Sequence, residues 1–466
     1  MSIYNFMRDN SSQPLYMQLK QAIINDINLG LFGNMQKLPS RRELARELGL
    51  STTTVNNAYQ ALVDEGYAMT IDRSGFYIKS GAKENEAFDD IIWEKDKNYL
   101  YNFTYNDCDL TNIKQADLKL LSKDIFELNP EYLLRHSNKR GEPEFRLALC
   151  RYLGSHKQLE CGLSEIFTGA GVQYLLTIIT MVLGMDKTYG FENPTDYKIY
   201  VWLKNLGVNI KLVNISGDTE FSCDELDRLG IDVMIVMPEN QLPTGTCMSE
   251  KLRRELAHWC SRKTANKYVI EYATDGNLNY QGYREKTIYS LSSGKNTIYI
   301  DSFYPTISNN TKAAFMVLPK GNIDLVIKKL EMYSPLITIA EQLIYSRLIN
   351  SGAMTKLIKH NNKTMLKKRN LLKNCLKSSE IGDRLTITND ETGMNFLCSF
   401  DSKSSGFELQ KLAFDNGVKI FDLSQFILRP NPLLTKNNFV FGYAGIPESE
   451  IENAVARLEA AWKPQK

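Results

Sequence analysis

The chain has 466 residues, of which 43% are hydrophobic and 24% charged, and its formal net charge is +2. This composition excludes a disordered or fibrous chain, and the length predicts two to four domains. The longest apolar run, from Tyr174 to Gly184, is shorter than the roughly 20 residues that cross a bilayer. Because the N-terminus also lacks a signal-peptide pattern, we expect a cytoplasmic protein with no membrane segment.

The eight cysteines are scattered along the chain, with no C-x-x-C pair and no histidine at ligand spacing. Metal sites built from cysteine and histidine show such spacing, so we expect no metal centre. We interpret the cysteines as buried thiols of a reducing cytoplasm.

The first 80 residues show three short helices in sequence. The apolar residues of the first helix recur every four positions after Pro14; they are Leu15, Leu19, Ile23 and Ile27. Ser40 and Glu43 form an S-x-x-E capping box, which predicts a second helix that ends at Gly49. Ser51 is the predicted N-cap of a third helix. Two short helices joined across a glycine turn are typical of a helix-turn-helix.

A polar face and a hairpin follow this helix pair. The polar residues of the third helix are Thr52, Thr53, Thr54, Asn56 and Asn57. In a helix-turn-helix these positions enter the major groove, where hydroxyls and amides bond base edges and phosphates. The segment YAMTIDRSGFYIKS predicts a two-stranded wing that turns at Ser74 and Gly75, with Arg73 near its tip. Any small helical hairpin has a polar face, but three helices followed by a wing favour DNA binding.

The run LPSRRELARELGLSTTTVNNAYQALVDEGYAMTIDRSGFYI resembles the winged helix-turn-helix of the GntR family. The resemblance implies operator contacts from Arg42 and from residues 51–54; the other candidate DNA-binding residues are Arg41, Asn56, Asn57, Arg73 and Gly75. Thr52, Asn56 and Asn57 stand where basic residues are common in that family. Residues 1–80 carry only eight Lys or Arg against seven Asp or Glu, so any basic surface there must come from local clustering.

Residues 81–99 are polar and aperiodic, which predicts a linker between residues 1–80 and 100–466. Beyond residue 100, short apolar runs alternate with helical stretches. The apolar runs are KIYVWL, NIKLVNI, IDVMIVMP, KYVIEY and NTIYI, and the helical stretches include EFRLALCRYLGSH, SEKLRRELAHWCSRK and EIENAVARLEAAW. This alternation predicts an α/β domain with a mostly parallel central sheet.

Several segments of this region resemble the fold-type I aminotransferase domain. These segments are NKRGEPEFRLALCRYL, TGAGVQYLL, FENPTDY, MPENQLPTG and NNFVFGYAGIPESEIENAVARL. A GntR-type helix-turn-helix fused to such a domain is typical of the MocR regulators. The resemblance implies a fold-type I domain, with the last ~120 residues forming a smaller subdomain, and a homodimer.

The residues that hold pyridoxal phosphate in that family are changed here. Aligned without gaps, Pro305 occupies the position of the Schiff-base lysine, and proline has no amine. Lys312 replaces the phosphate-binding arginine, and Val440 replaces the arginine that binds the substrate carboxylate. Tyr272 takes the place of the aspartate that pairs with the pyridine nitrogen, and Thr274 that of the tyrosine that reaches the cofactor oxygen.

Nearby residues could still form part of a pocket. Candidates for an effector pocket or a former cofactor pocket are Gly171, Val172, Gln173, Tyr272, Thr274 and Lys312. Lys295 and Lys312 are the lysines closest to the changed position, and Glu271 and Asp275 are the remaining acids. Because several independent motifs are changed together, we expect no catalytic residues and no covalent pyridoxal phosphate.

These observations leave several functions to compare. The first is a sequence-specific transcription regulator whose inactive aminotransferase-like domain serves dimerisation and, in part, the sensing of an unknown small effector. The second is a regulator that still binds pyridoxal phosphate, or its amino-acid adduct, without a covalent bond. The third is a working aminotransferase with a DNA-binding head, which Pro305 disfavours. The first two require an operator in double-stranded DNA as partner.

Overall fold

The computed structural model describes residues 14–28, 37–71, 75–78, 99–104, 122, 125, 130–215, 221–262, 266–273, 277–304, 306–307, 311–320, 323–428 and 437–463. Of the predicted linker 81–99, all residues but Tyr99 lie outside these ranges. The chain divides into two compact units, Met1–Lys97 and Asn98–Lys466, and each is described by itself.

The N-terminal unit contains three helices and a hairpin. They are α1 (Leu15–Asn28), α2 (Arg41–Leu48), α3 (Thr52–Asp64), β1 (Ala68–Ile71) and β2 (Gly75–Ile78). The two strands pair antiparallel, with Ala68 opposite Ile78. The predicted order of three helices and a wing is confirmed. Arg73, predicted near the tip of the wing, lies outside the described residues.

Local hydrogen bonds set the ends of α2 and α3, as the sequence predicts. The Glu43 amide donates to Ser40 Oγ, and the Ser40 amide donates to the Glu43 carboxylate at 3.0 Å, which closes the capping box. Gly49 ends α2 with a φ of +62°, a left-handed conformation that glycine adopts without strain. Ser51 Oγ accepts from the Thr54 amide at 3.0 Å and begins α3.

The core of this unit joins all of its elements. Its buried members are Leu19, Ile23, Ile24, Leu38, Leu44, Ala45, Val55, Ala58, Tyr59, Leu62, Ala68 and Ile78. The expectation that Leu15 continues the apolar face of α1 is wrong, because Leu15 is 38% exposed and Ile24 is buried. The buried face therefore follows the 3.6-residue helical period and drifts away from a strict spacing of four.

The second unit contains twelve α-helices in its described part. They are α4 (Pro130–Leu134), α5 (Pro143–Lys157), α6 (Val172–Leu183), α7 (Tyr197–Asn205), α8 (Cys223–Arg228), α9 (Glu250–Ser261), α10 (Ile288–Leu291), α11 (Ile323–Leu330), α12 (Ile339–Asn350), α13 (Ala353–Ser378), α14 (Gly406–Asp415) and α15 (Ile451–Trp462).

The strands of this unit form one large sheet and two small ones. They are β3 (Tyr101–Asn102), β4 (Ile166–Ala170), β5 (Thr188–Asn193), β6 (Asn209–Asn214), β7 (Val233–Val236), β8 (Tyr268–Ala273), β9 (Thr297–Ser302), β10 (Ala313–Val317), β11 (Leu385–Thr388), β12 (Asn395–Phe400), β13 (Val418–Lys419), β14 (Phe421–Asp422) and β15 (Asn438–Gly442).

The large sheet has seven strands in the order β4-β10-β9-β8-β7-β5-β6. Every strand runs parallel to the others except β10, which pairs antiparallel with both β4 and β9. The expected mostly parallel sheet is thus confirmed. Because the carboxyl ends of parallel strands lie on the same side of a sheet, the segments that follow β4, β5, β7, β8 and β9 meet along one carboxyl edge.

One predicted strand is a helix. The run KIYVWL lies within α7, which begins after Asp196, whose carboxylate accepts from the amides of Lys198 and Ile199. Ile199 and Leu203 lie one helical turn apart and are buried in the large core cluster. A short apolar run fits either a strand or a buried helix, and the Asp196 cap decides here for the helix.

A four-stranded antiparallel sheet, β11-β12-β15-β14, forms a second core with α13, α14 and α15. The Phe396 and Phe441 rings stack with centroids 5.7 Å apart, and Trp462 lies edge-on to Phe441. Two further strands, β3 and β13, pair parallel beside it. No helix in the described part of the chain has the length and hydropathy that crossing a membrane requires.

The cysteines are less buried than expected. The prediction of buried thiols holds for Cys223, Cys260 and Cys398, whereas four others are half-buried; these are Cys150, Cys161, Cys247 and Cys375. Cys150, Cys161 and Cys375 lie at the margins of the core clusters. Cys108 lies outside the described residues.

Candidate functional sites

Most of the predicted DNA-binding residues lie on or next to α2 and α3 and are exposed. Arg41, Arg42, Ser51, Thr52, Thr53 and Asn57 are exposed, and Thr54 and Asn56 are half-buried. The start of α3 thus presents hydroxyls and amides beside the guanidinium groups of α2. This is the chemistry that bonds base edges and phosphate oxygens.

Two of these residues bind each other. Arg41 Nη1 donates to Asn56 Oδ1 at 2.5 Å, which ties α2 to α3, and the Arg41 guanidinium lies 5.9 Å from the centre of the Phe76 ring. This bond therefore helps to fix α3 relative to α2. Arg42 is exposed on α2, and an exposed guanidinium can bind a phosphate or a base edge.

Tyr59 connects the three parts of the winged helix, and the sequence analysis did not single it out. Its hydroxyl donates to the Pro39 carbonyl at 3.0 Å, and its ring lies 5.1 Å from that of Phe76 in the wing. Gly75 begins β2 with a φ of +115°, a backbone conformation that side chains rarely adopt. Tyr59 thus fixes α3 against the start of α2 and against the wing.

The second candidate site lies at the carboxyl edge of the large sheet. Gly171, Val172 and Gln173 follow β4, and Tyr272 is near the end of β8. Lys312 precedes the antiparallel β10, whose first residue pairs with the last residue of β4. All five residues are therefore at the same edge. Thr274 and Pro305, predicted to belong there, lie outside the described residues.

The two lysines considered as substitutes for the Schiff-base lysine occupy opposite edges. Lys295 is exposed in the turn that precedes β9 and therefore lies at the amino edge. A six-residue strand spans about 20 Å, which separates Lys295 from Tyr272 and Gly171. Lys312 is exposed at the carboxyl edge. Only Lys312 thus lies near the candidate pocket.

Glu271 faces away from this pocket because side chains alternate along a strand. Its two carboxylate oxygens accept from the amides of Ile288 and Tyr289, at 3.0 and 2.9 Å, and so cap α10. Burial raises the pKa of Glu271 to about 7, although both backbone bonds act in the opposite direction. Tyr272, on the other face, is half-buried against the large core cluster.

Val440 lies in the same large core cluster and is fully buried. Its strand neighbours are Leu397 in β12 and Phe421 in β14, and Leu423 and Phe426 belong to the same cluster. Val440, which the resemblance places where a carboxylate-binding arginine is expected, is thus surrounded by apolar side chains.

A buried ionic network also lies at the carboxyl edge, and the sequence analysis missed it. Lys157, at the end of α5, is fully buried; its Nζ lies 2.6 Å from Glu239 and 3.8 Å from Asp301. Arg284 binds the other oxygen of Glu239 at 2.8 Å, and Tyr299 donates to Asp301 at 3.0 Å. These residues are far apart in the chain, so no local pattern predicts their meeting.

The network contains two carboxylates in different electrostatic environments. Burial alone would raise the pKa of Glu239, but the Lys157 and Arg284 cations lower it to about 2. Burial raises the pKa of Asp301 to about 6, against the opposing effect of Lys157. Glu239 is therefore ionised throughout the neutral range, whereas Asp301 changes charge just below it.

Gly141 explains part of the NKRGEPEFRLALCRYL motif. Its φ is +99°, and a Cβ atom built there would lie 2.2 Å from Thr168 Oγ1 in β4. The next residue, Glu142, is fully buried; its carboxylate binds Arg135 at 2.6 Å, and its amide donates to Gln342 at 2.7 Å. The motif therefore packs the start of α5 closely against β4 of the large sheet.

Comparison with known proteins gives a family match for the N-terminal part and relatives that match nearly the whole chain. Residues 15–78 match the family described as bacterial regulatory proteins, gntR family. The uncharacterized HTH-type transcriptional regulator YdeL of Bacillus subtilis is 26% identical to this chain, and the match covers 99% of this chain and 100% of YdeL. The "Probable rhizopine catabolism regulatory protein MocR" of Rhizobium meliloti is 21% identical over 96% of this chain and 94% of its own.

Solved aminotransferases share the fold of the second unit. An archaeal alanine:glyoxylate aminotransferase superposes with a TM-score of 0.70 and 18% identity, covering 82% of this chain and 94% of its own. The kynurenine aminotransferase of Pyrococcus horikoshii has a TM-score of 0.68 and 19% identity, with coverages of 80% and 93%. The chain therefore has the MocR-type architecture, a GntR helix-turn-helix followed by an aminotransferase fold.

Proposed function

We propose that this chain, which joins a GntR-type winged helix-turn-helix to an aminotransferase-type domain, is a transcription regulator that binds an operator in double-stranded DNA. The observation that carries the proposal is the capped, exposed start of α3 beside Arg42. Matches to regulators over the full length of the chain support it. Affinity then depends on a small set of polar and basic contacts, because the net charge of residues 1–80 is low.

Arg42 and Arg46 provide a matched test, since both are exposed arginines of α2. We expect R42A to weaken operator binding about tenfold or more, the loss of one base or phosphate contact. R46A should change binding less than threefold. Gel-shift titrations at several salt concentrations measure both. Equal losses in the two variants would show that α2 contributes only diffuse charge and would contradict the proposed contact surface.

We further propose that the aminotransferase-type domain forms no covalent bond with pyridoxal phosphate and has no transaminase activity. The residues present do not fit that role. The carboxylate of Glu271 is engaged in capping α10, Val440 is enclosed by apolar side chains, and Lys295 lies at the wrong edge of the sheet. Val440 replaces an arginine that binds the substrate carboxylate in the resembling family, and Glu271 and Lys295 are an acid and a lysine that were considered as substitutes for the missing groups.

The test is an absorbance spectrum of the purified chain mixed with pyridoxal phosphate, followed by borohydride reduction and peptide mass analysis. We expect no aldimine band and no reduced adduct, and K312A should behave as the unchanged chain does. A stoichiometric adduct on Lys312 that K312A abolishes would overturn this part of the proposal. It would leave the DNA-binding part intact, because the two rest on different units.

A noncovalent ligand at the carboxyl edge is a second candidate, and the turn at Gly171 favours it. Helix α6 begins there without a side-chain cap, and a Cβ built on Gly171 would meet no atom within 4 Å. A helix N-terminus with open space before it accommodates phosphate groups, and Lys312 adds a nearby cation. Binding would raise the unfolding temperature in the presence of free pyridoxal phosphate, and G171V should remove that increase.

The active species is proposed to be a homodimer, so that two heads read paired half-sites in the operator. Light scattering should then give twice the chain mass of 53.2 kDa. A monomer that protects only one half-site in a footprint would contradict this arrangement. The unknown effector is expected to bind the second unit and to change operator affinity.

A further inference from the structure

Two half-buried thiols meet at the surface of the second unit. Cys150 on α5 and Cys161 in the loop before β4 have their Sγ atoms 3.9 Å apart. Both pack on the margin of the core cluster beneath α5, and both keep part of their surface exposed. A disulfide has an S–S distance of about 2.05 Å, so the two sulfur atoms must approach by about 2 Å to form the bond.

The fold holds the loop against the helix on both sides of Cys161. Leu159 is fully buried, and its amide donates to the Leu153 carbonyl at 3.2 Å. On the other side, the Arg146 guanidinium donates to the Leu163 carbonyl at 2.6 Å. Because Arg146 lies one helical turn before Cys150, the same side chain fixes the loop and places a positive charge near the thiol pair.

We propose that Cys150 and Cys161 form a reactive dithiol that small-molecule disulfides oxidise to an intramolecular disulfide. The two cysteines differ in their roles. The Cys161 thiol donates to Cys150 and thereby lowers the pKa of Cys150, and Arg146 adds to this effect against the cost of burial. The same contact raises the pKa of Cys161. Cys150 is therefore the attacking thiolate, and Cys161 is the thiol that completes the bond.

The reaction with glutathione disulfide takes two exchanges. The Cys150 thiolate attacks one sulfur of glutathione disulfide, the S–S bond breaks, and one glutathione leaves as a thiolate. Cys161 loses its proton to solvent and attacks the Cys150 sulfur of the mixed disulfide, and the second glutathione leaves. Two protein thiols are oxidised to one disulfide, and one glutathione disulfide is reduced to two glutathione thiols.

The bond would join α5 to the entry of β4, the strand that leads to Gly171 at the carboxyl edge. Closing this short loop restricts the unfolded chain, so the oxidised protein should unfold at a higher temperature than the reduced protein.

The experiment treats the full-length reduced chain with excess glutathione disulfide and counts thiols after denaturation. The unmodified chain has eight cysteines, and we expect six free thiols after the reaction. Mass analysis should show a loss equal to two hydrogens and a cross-linked pair of peptides that contain Cys150 and Cys161.

Variants distinguish a dithiol from two independent thiols. In C150S the loss of two thiols should disappear, and in C161S an unresolved glutathione adduct should remain on Cys150. C375S removes another half-buried thiol and should react as the unchanged chain does. C150A and C161A repeat the test if a serine variant fails to fold. Glutathione adducts without the cross-link, or a disulfide between other cysteines, would overturn the proposal.

Discussion

Replacing Lys157 by methionine tests the buried ionic network at the carboxyl edge of the large sheet. Methionine keeps much of the length and volume of lysine but removes the charge. Lys157 is fully buried and bonds Glu239 at 2.6 Å, so its removal leaves Glu239 with its Arg284 salt bridge and takes from Asp301 the cation that lowers its pKa. The variant therefore leaves a negative charge without its cation in a buried region of low dielectric constant.

The expected cost is about 3 kcal/mol of unfolding free energy. Breaking one partner out of a buried ion pair typically costs about 3–5 kcal/mol. The lower end applies because Arg284 still binds Glu239 and because Asp301, whose pKa is already about 6, can take up a proton. For the same reason the cost should grow between pH 5 and pH 8: the folded variant binds a proton on Asp301 that the unfolded chain releases at lower pH.

Urea unfolding followed by tryptophan fluorescence measures this effect, because three of the four tryptophans, Trp202, Trp259 and Trp462, belong to the second unit. K251M, on the exposed face of α9, is the control and should change stability by less than about 0.5 kcal/mol. D301N in the K157M background should restore part of the lost free energy of unfolding, since it removes the unpaired negative charge of Asp301. A cost of K157M below about 1 kcal/mol, or strict additivity with D301N, would refute the reasoning.

Four further variants test other parts of the structure. The pKa of Glu271 is raised to about 7, so between pH 4.5 and pH 7 the folded protein holds a proton that the unfolded chain has lost. The free energy of unfolding should therefore fall by about 3 kcal/mol from pH 4.5 to pH 8. Urea titrations measure this pH dependence, and E271Q should flatten it. G141A should cost about 3 kcal/mol or more in the same assay, because its Cβ would overlap Thr168; an effect under about 1 kcal/mol would mean that the backbone relaxes freely. S40A removes the cap of α2 and should lower the free energy of unfolding of the N-terminal unit by about 1 kcal/mol, which is measured as an earlier loss of helical circular dichroism. S51A removes the cap of α3 and should lower the free energy of unfolding by a similar amount.

The sequence predicts most of the N-terminal unit because its structure is set by short-range contacts. The Ser40 and Glu43 pair, Gly49 and Ser51 mark helix ends within four residues of themselves, and the structure has each cap where the pattern places it. The pairing of Arg41 with Asn56 is different, since it depends on how α2 and α3 cross.

In the second unit the sequence predicts the class of the sheet and the positions that changed in the candidate pocket. It does not predict that KIYVWL is a helix, because the Asp196 cap and the burial of one face decide between two readings of the same apolar run. Nor does it show which edge of the sheet each lysine occupies, which depends on the direction of β9 and β10.

What the sequence by itself determined is therefore local: helix caps, the wing, the alternation of strands and helices, and the identity of the residues at Pro305 and Val440. The tertiary structure alone decided that Lys157 meets Asp301 and that Cys150 meets Cys161. Such contacts join residues whose separation in the chain carries no periodic signal, because packing of the whole sheet and its helices brings them together.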